Sequence, residues 1–235
     1  MARVGTAGWS IPRQHAAAFP ASGSHLERYA RRFNAVEVNS SFYRPHRRAT
    51  YERWAASVSG GFAFAVKAPR AITHDLSLVG AEAALDAFLD SAAGLGSKLG
   101  VLLFQFPPRF AFDARTVKAF FDSLRRRHDG DVACEPRHAS WFTERAEALL
   151  AEHRISRVAA DPAVVPAAAT PGGSSALQYF RLHGSPRMYR SSYEPDRIAH
   201  YAGRMTPAAW CIFDNTADAA ATENALALAA IMRGT

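Results

Sequence analysis

Short apolar runs alternate with amphipathic segments along the whole chain. Eight runs have strand character: residues 4–9, 35–39, 62–67, 100–106, 131–135, 155–161, 177–183 and 210–214. Helical periodicity fills most of the gaps, over 26–33, 50–58, 81–95, 114–127, 143–153, 195–204 and 222–232, with Thr143 placed to cap the fifth of these. Run 100–106 is almost continuously apolar, as in a parallel strand covered on both faces. Eight strand–helix units in 235 residues average about 29 residues each, the size of a βα repeat. The alternation predicts an α/β fold with a parallel sheet. The number of units predicts closure into a single (β/α)8 TIM barrel, one domain over 1–235. A doubly wound open sheet would carry a Gly-rich phosphate loop after its first strand, where Gly8-Trp9-Ser10 stands instead. Residues 162–175, with three Pro, two Gly and no charge, break the rhythm and predict a long mobile loop, slack connection or lid.

In such a barrel the C-terminal ends of the strands form the active face. The predicted strands end in polar groups: Thr6; Glu37 and Asn39; Lys67; Gln105; Glu135 with Arg137 just beyond; Asp161; Arg181 and His183; Asp214 and Asn215. Alternation sets Glu37 and Asn39 on one face, Tyr179, Arg181 and His183 on another, and Lys67 with the small Ala63 and Ala65. Charges above small residues look like the mouth of a lumen. Burying them is costly unless they pair or meet a ligand, so a closed salt-bridge network competes with a binding site.

The chain carries 28 Lys and Arg against 21 Asp and Glu, a net charge of +7, which favours anionic partners. The loop 183–193 offers hydroxyls, backbone N–H groups, Arg187 and Arg190 for phosphate or carboxylate oxygens. Arg44, Arg47, Arg48, Arg70 and Arg109 add to the same rim, with Trp9, Phe42, Tyr43, Trp141, Phe142, Tyr189 and Tyr193 as aromatics able to stack on a ligand. Glu37, Glu135, Asp161, His183 and Asp214 lack any metal-ligand spacing, and Lys67 and Arg181 would repel a cation, so neither metal nor cofactor is expected. No apolar run is long enough to span a bilayer, and the N-terminus lacks the apolar centre of a signal peptide. Cys134 and Cys211 sit in apolar strands and read as reduced core residues, which suggests a cytoplasmic protein.

Several motifs together resemble the YecE-like family, domain of unknown function 72: Gly5-Thr6-Ala7-Gly8-Trp9, Phe33-Asn34-Ala35-Val36-Glu37-Val38-Asn39-Ser40-Ser41-Phe42-Tyr43, Phe64-Ala65-Val66-Lys67, Thr73-His74, Gln105-Phe106-Pro107-Pro108, Glu135-Pro136-Arg137-His138-Ala139-Ser140-Trp141, Arg181-Leu182-His183-Gly184 and Asp214-Asn215-Thr216. The resemblance covers nearly the whole chain and implies a TIM barrel, but no established activity. Segment 11–24 is shorter than the family's first loop, and Asp214 stands where Asn is expected.

The residues then support an enzyme acting on an anionic small molecule such as a phosphate ester. Lys67, Arg181 and Arg187 would hold negative charge, Glu37 or Glu135 would be the general base and His183 the acid, with Lys67 keeping its charge beside the carboxylates. Trp9, Asn39, Tyr43, Gln105, Arg137, Asp161, Tyr193, Asp214 and Asn215 would line the ligand site. The alternatives are a nucleic-acid binder using the basic, aromatic rim, and a non-catalytic metabolite sensor. A glycosidase using Glu37 and Glu135 is a lesser variant.

Overall fold

A computed structural model describes residues 1–234. Its strands are β1 (Arg3–Thr6), β2 (Ala35–Val38), β3 (Ala63–Lys67), β4 (Leu99–Gln105), β5 (Asp131–Glu135), β6 (Ile155–Arg157), β7 (Ala159–Asp161), β8 (Gly172–Gly173), β9 (Tyr179–Leu182) and β10 (Trp210–Phe213). The helices are α1 (His25–Ala30), α2 (Ser40–Tyr43), α3 (Arg48–Ala56), α4 (Glu82–Ala92), α5 (Ala114–Arg125), α6 (Glu144–Glu152), α7 (Pro195–Ala202) and α8 (Ala220–Arg233). Local signals start several of them. Ser24 and Glu27 form a capping box at α1, and Asp113 and Thr143 accept the N–H groups of Thr116 and Ala146 at α5 and α6.

The strands form two sheets, in the orders β1-β10-β9-β7 and β2-β3-β4-β5-β6-β8, every pair parallel except β6 with β8. The expected single closed ring of strands is therefore not what the ladders give. They break at two places. Between β1 and β2 only one bridge, Ala7 with Glu37, is made. The predicted sixth strand is interrupted at Val158, so that β6 pairs in one sheet and β7 in the other.

Period-2 alternation sorts the strand residues into two clusters. Ala35, Ala63, Ala65, Val101, Leu103, Ala133, Val158, Tyr179, Trp210 and Ile212 pack together on one side. The opposite faces, including Val36, Phe64, Leu102, Phe104, Cys134, Phe180 and Phe213, pack with helix residues such as Leu85, Phe121, Leu150 and Leu228. Small side chains in the first cluster let the strands approach. Gly5 is the extreme case, since a Cβ there would lie 2.1 Å from the Ala35 carbonyl oxygen. Continuing that face by two residues leads to Glu37, Lys67, Gln105, Glu135, Arg181 and Asp214. The pattern that builds the inner core also delivers the charges to its end.

Residues 162–175 are not a free loop. Pro166–Ala169 form a 3-10 turn and β8 pairs antiparallel with β6. Buried Arg157 binds Glu147 and the Thr170 carbonyl (3.1 Å), and Glu147 also accepts the Gly173 N–H at 2.5 Å. The clasp substitutes for the helix that the βα rhythm would place here. Arg157→Ala should therefore cost about 1–3 kcal/mol. Limited proteolysis of that variant should cut first within 162–175.

Candidate functional site

Arg181, fully buried at the end of β9, organises the site. Its guanidinium grips Glu37 with two bonds, Nε to Oε2 at 3.0 Å and Nη2 to Oε1 at 2.6 Å, and also binds Glu135 and Asp214 (3.0 Å). Tyr179 donates its hydroxyl to Glu37 at 2.9 Å and stacks on Trp210 below. His183 places Nδ1 3.0 Å from Asp214 and Nε2 2.8 Å from Glu135, whose Oε1 also meets Arg137 at 2.7 Å. An ammonium, with three donors, could not make the two-bond grip on Glu37 and still reach Glu135 and Asp214, whereas the five-donor guanidinium fork does.

Burial alone would raise the Glu135 carboxyl, but Arg137, Arg181 and His183 overcome it and hold it well below the usual carboxylate range. Asp214 is lowered in the same way, against its burial, by Arg181, His183 and Lys67. Burial would lower Arg181, and the three carboxylates instead raise it.

Exposure divides the centre into two layers. Glu37, Glu135, Arg181 and His183 are 0–1% exposed, a sealed floor. The side chains of Lys67, Arg137 and Asp214 retain a sliver of surface, about 8–11%, and form the layer above.

Lys67 is the exception to the pairing. Its ammonium lies over the Phe42 ring, 4.2 Å from the centroid, and has no hydrogen bond or ion pair among the described residues. Burial lowers its pKa first, repulsion by Arg181 second, and Glu37, Glu135 and Asp214 offset these only in part, leaving it at about 8. At about 8 Lys67 still carries its charge in most molecules at neutral pH, but the nearby carboxylates do not hold it at its ordinary value, because Arg181 has already claimed them. Arg137 Nε and Asn39 Oδ1 are buried without hydrogen-bond partners, although Asn39 Nδ2 makes a long 3.4 Å bond to Asp214.

A family model described as protein of unknown function DUF72 matches residues 3–235. The chain belongs to the DUF72 family. Among curated relatives, the Bacillus subtilis protein YunF is 30% identical over 154 residues, 61% of this chain and 53% of its own length. Escherichia coli K12 YecE is 29% identical over 150 residues, covering 63% and 52%. Those matches span about half the length of the curated relatives. DUF72 family proteins of known structure from Enterococcus faecalis V583 and Thermotoga maritima MSB8 each superpose with a TM-score of 0.81 at 23% identity. Both alignments cover 99% of this chain, and they cover 96% and 99% of the respective neighbours. That likeness shows the shared fold.

The remaining predicted residues of this DUF72 chain are scattered. Asp161 turns to α7, bound by Arg197 (3.0 Å) and the Tyr201 hydroxyl (2.6 Å). The Tyr193 hydroxyl accepts the Gly184 N–H and donates to the Asp161 carbonyl, a strut under the loop. Asn215 donates to Ser191 O and Asn224 Oδ1. Trp9 packs edge-on against Trp54, and Trp141 is core, stacked on Phe106 with its indole N–H on the Phe110 carbonyl. Tyr43 is 78% exposed. Gln105 stands beside Glu135 in register and stays half-buried.

In the loop after β9, several N–H groups are already used internally: Tyr189 on His183 O, Ser191 on Arg187 O, and Arg187 on the Ser191 hydroxyl. Arg190 pairs with Asp218, leaving Arg187 as the exposed cation. An open hollow of about 510 Å³ lies beside this loop, lined by Ser185, Ser191, Tyr193 and Arg197. His74, of the Thr73-His74 pair, lies in the helical turn after β3. It packs edge-on to Phe42 at 4.9 Å, and burial, then Lys67, Arg109 and Arg70, lower its pKa. Among the described residues no group of three His, Cys, Asp or Glu is placed to hold a metal ion, and no helix is long and apolar enough to cross a membrane.

Proposed function

We propose that this protein binds a small anionic ligand, of phosphate or carboxylate type, on the upper layer of the charged centre, with Lys67 as its contact charge. One observation carries the reading: Lys67 is a buried cation left without a carboxylate while every cation of the floor has one. Leaving a charge without a direct partner costs stability that Phe42 and the more distant carboxylates repay only in part, and a ligand anion supplies the missing partner. Arg137 Nε is a second unused donor in the same upper layer. In this reading Glu37, Glu135 and His183 hold the floor rigid, and proton transfer falls to Lys67, which changes charge near neutral pH.

The reading also takes the two sheets to be halves of one (β/α)8 barrel forming a single domain. The Ala7–Glu37 bridge, the one-residue break at Val158 and the shared inner cluster support it.

A second reading rests on a different surface. Arg44, His46, Arg47 and Arg53 line a hollow of about 520 Å³ beside exposed Tyr43, a combination suited to nucleic-acid phosphates and bases. Salt separates the two. Nucleic acid held by three arginines should weaken with a log–log slope of about −2 to −3. Inorganic phosphate at Lys67 should raise the melting temperature with a much shallower dependence. A phosphate response that survives in Lys67→Met would exclude the first reading.

A further inference from the structure

We infer that Lys67 is a carbonyl-condensing amine, and that the anionic ligand is a small aldehyde or ketone carrying a phosphate or carboxylate. The inference rests on the anion-site reading and names its substrate class.

The chain uses arginine for almost every cation, 25 of 28, and contains only Lys67, Lys98 and Lys118. Two of these lysines are tied down. Lys98 donates to the carbonyls of Ala55 and Val58 at 2.5 Å each, and Lys118 pairs with Asp122 at 2.9 Å. Lys67 alone is buried and unbonded, on a rigid strand whose end is fixed by the Ser41 hydroxyl donating to the Lys67 carbonyl at 2.6 Å. A guanidinium would supply charge and more donors at this position. What it lacks is the ability to lose a proton and attack carbon. An amine held mostly buried against an aromatic ring, beside another cation, is an arrangement that activates lysine as a nucleophile.

The groups that bear on Lys67 come from four other segments and its own loop: Glu37, Glu135, Arg181, Asp214 and His74. At pH 7 about one molecule in ten carries the free amine at a pKa of about 8, against about one in three thousand for an ordinary lysine at 10.5. His74 has Nδ1 2.8 Å from the Thr73 hydroxyl; with Nδ1–H donating there, Nε2, which has no partner among the described residues, keeps a lone pair that can take up a proton. The free amine adds to the carbonyl carbon. A nitrogen proton passes to His74 or water, and the carbinolamine oxygen, protonated in turn, leaves as water. One ammonium and one carbonyl compound give one protonated imine and one water.

The test uses the full chain with glyceraldehyde 3-phosphate and cyanoborohydride near neutral pH, followed by digestion and mass mapping of the three lysines. The Lys98→Arg/Lys118→Arg variant serves to remove background. The expected result is a reduced adduct on Lys67 at least about tenfold above Lys98 and Lys118, suppressed by inorganic phosphate and slower with unphosphorylated glyceraldehyde. No adduct on Lys67, or equal labelling of all three lysines, overturns the inference. If phosphate still raises the wild-type melting temperature in that case, the anion site stands and only the carbonyl chemistry fails. A Lys67 adduct that phosphate neither suppresses nor accelerates removes the anion site and keeps the amine.

Discussion

Arg181→Met is expected to be the most damaging substitution at the site, lowering stability by about 3–5 kcal/mol in urea unfolding. The guanidinium touches Glu37, Glu135 and Asp214, so its loss leaves three buried carboxylates short of a counter-charge. The sign of the pH dependence should reverse with it. In the wild type, Glu135 and Asp214 sit below their unfolded values, so their contribution is present above those values and lost as acid protonates them. In the variant the same buried carboxyls bind protons more readily folded than unfolded, and mild acid should restore part of the lost stability. Arg181→Lys should rescue little, because an ammonium cannot reproduce the two bonds to Glu37 together with those to Glu135 and Asp214.

Lys67→Met is expected to do the opposite: raise stability while abolishing the phosphate response. A shift from 10.5 to about 8 corresponds to about 3 kcal/mol of penalty on the charged form. That penalty is complete below pH 8, where both states are protonated. It is relieved between about pH 8 and 10.5, where the folded chain sheds the proton first, so the wild type should gain on the variant as pH rises through that window. A gain of about 1–3 kcal/mol in Lys67→Met at pH 7 is the expected size. A loss of stability instead would mean that the ammonium has a partner in the folded protein. Stability given up at one residue is what a binding site looks like when its ligand is absent.

Much of this was legible in the sequence, for a physical reason. Strand side chains alternate strictly, so Ala35 with Glu37, or Tyr179 with Arg181 and His183, had to share a face once the strands were recognised. Glu37, Arg181 and His183 follow from that alternation, and Glu135 from its place at the end of a strand. The alternation does not say which charge takes which partner. Arg181 and Lys67 look equivalent along the chain, and only the arrangement in space gives Arg181 three carboxylates and Lys67 a phenyl ring.

The other misses share that origin. Asp161 sits at a strand end like the rest, yet Arg197 and Tyr201 on α7 draw its carboxylate away. The charge-free segment 162–175 reads as slack because its anchors, Glu147 and Arg157, lie outside it on α6 and β6. The break at Val158 leaves no mark, since the run 155–161 holds neither Gly nor Pro to signal an interruption. His74 belongs to no strand, so alternation cannot place it beside Lys67 and Phe42.

The most direct test of the account is the titration of Lys67 followed by NMR on lysine-labelled protein, where three lysines give three resolvable signals. The account predicts that the Lys67 signal titrates near 8 in the free protein and moves upward when inorganic phosphate is added, with Lys98 and Lys118 unmoved. A Lys67 that titrates near 10.5, with or without phosphate, would contradict it.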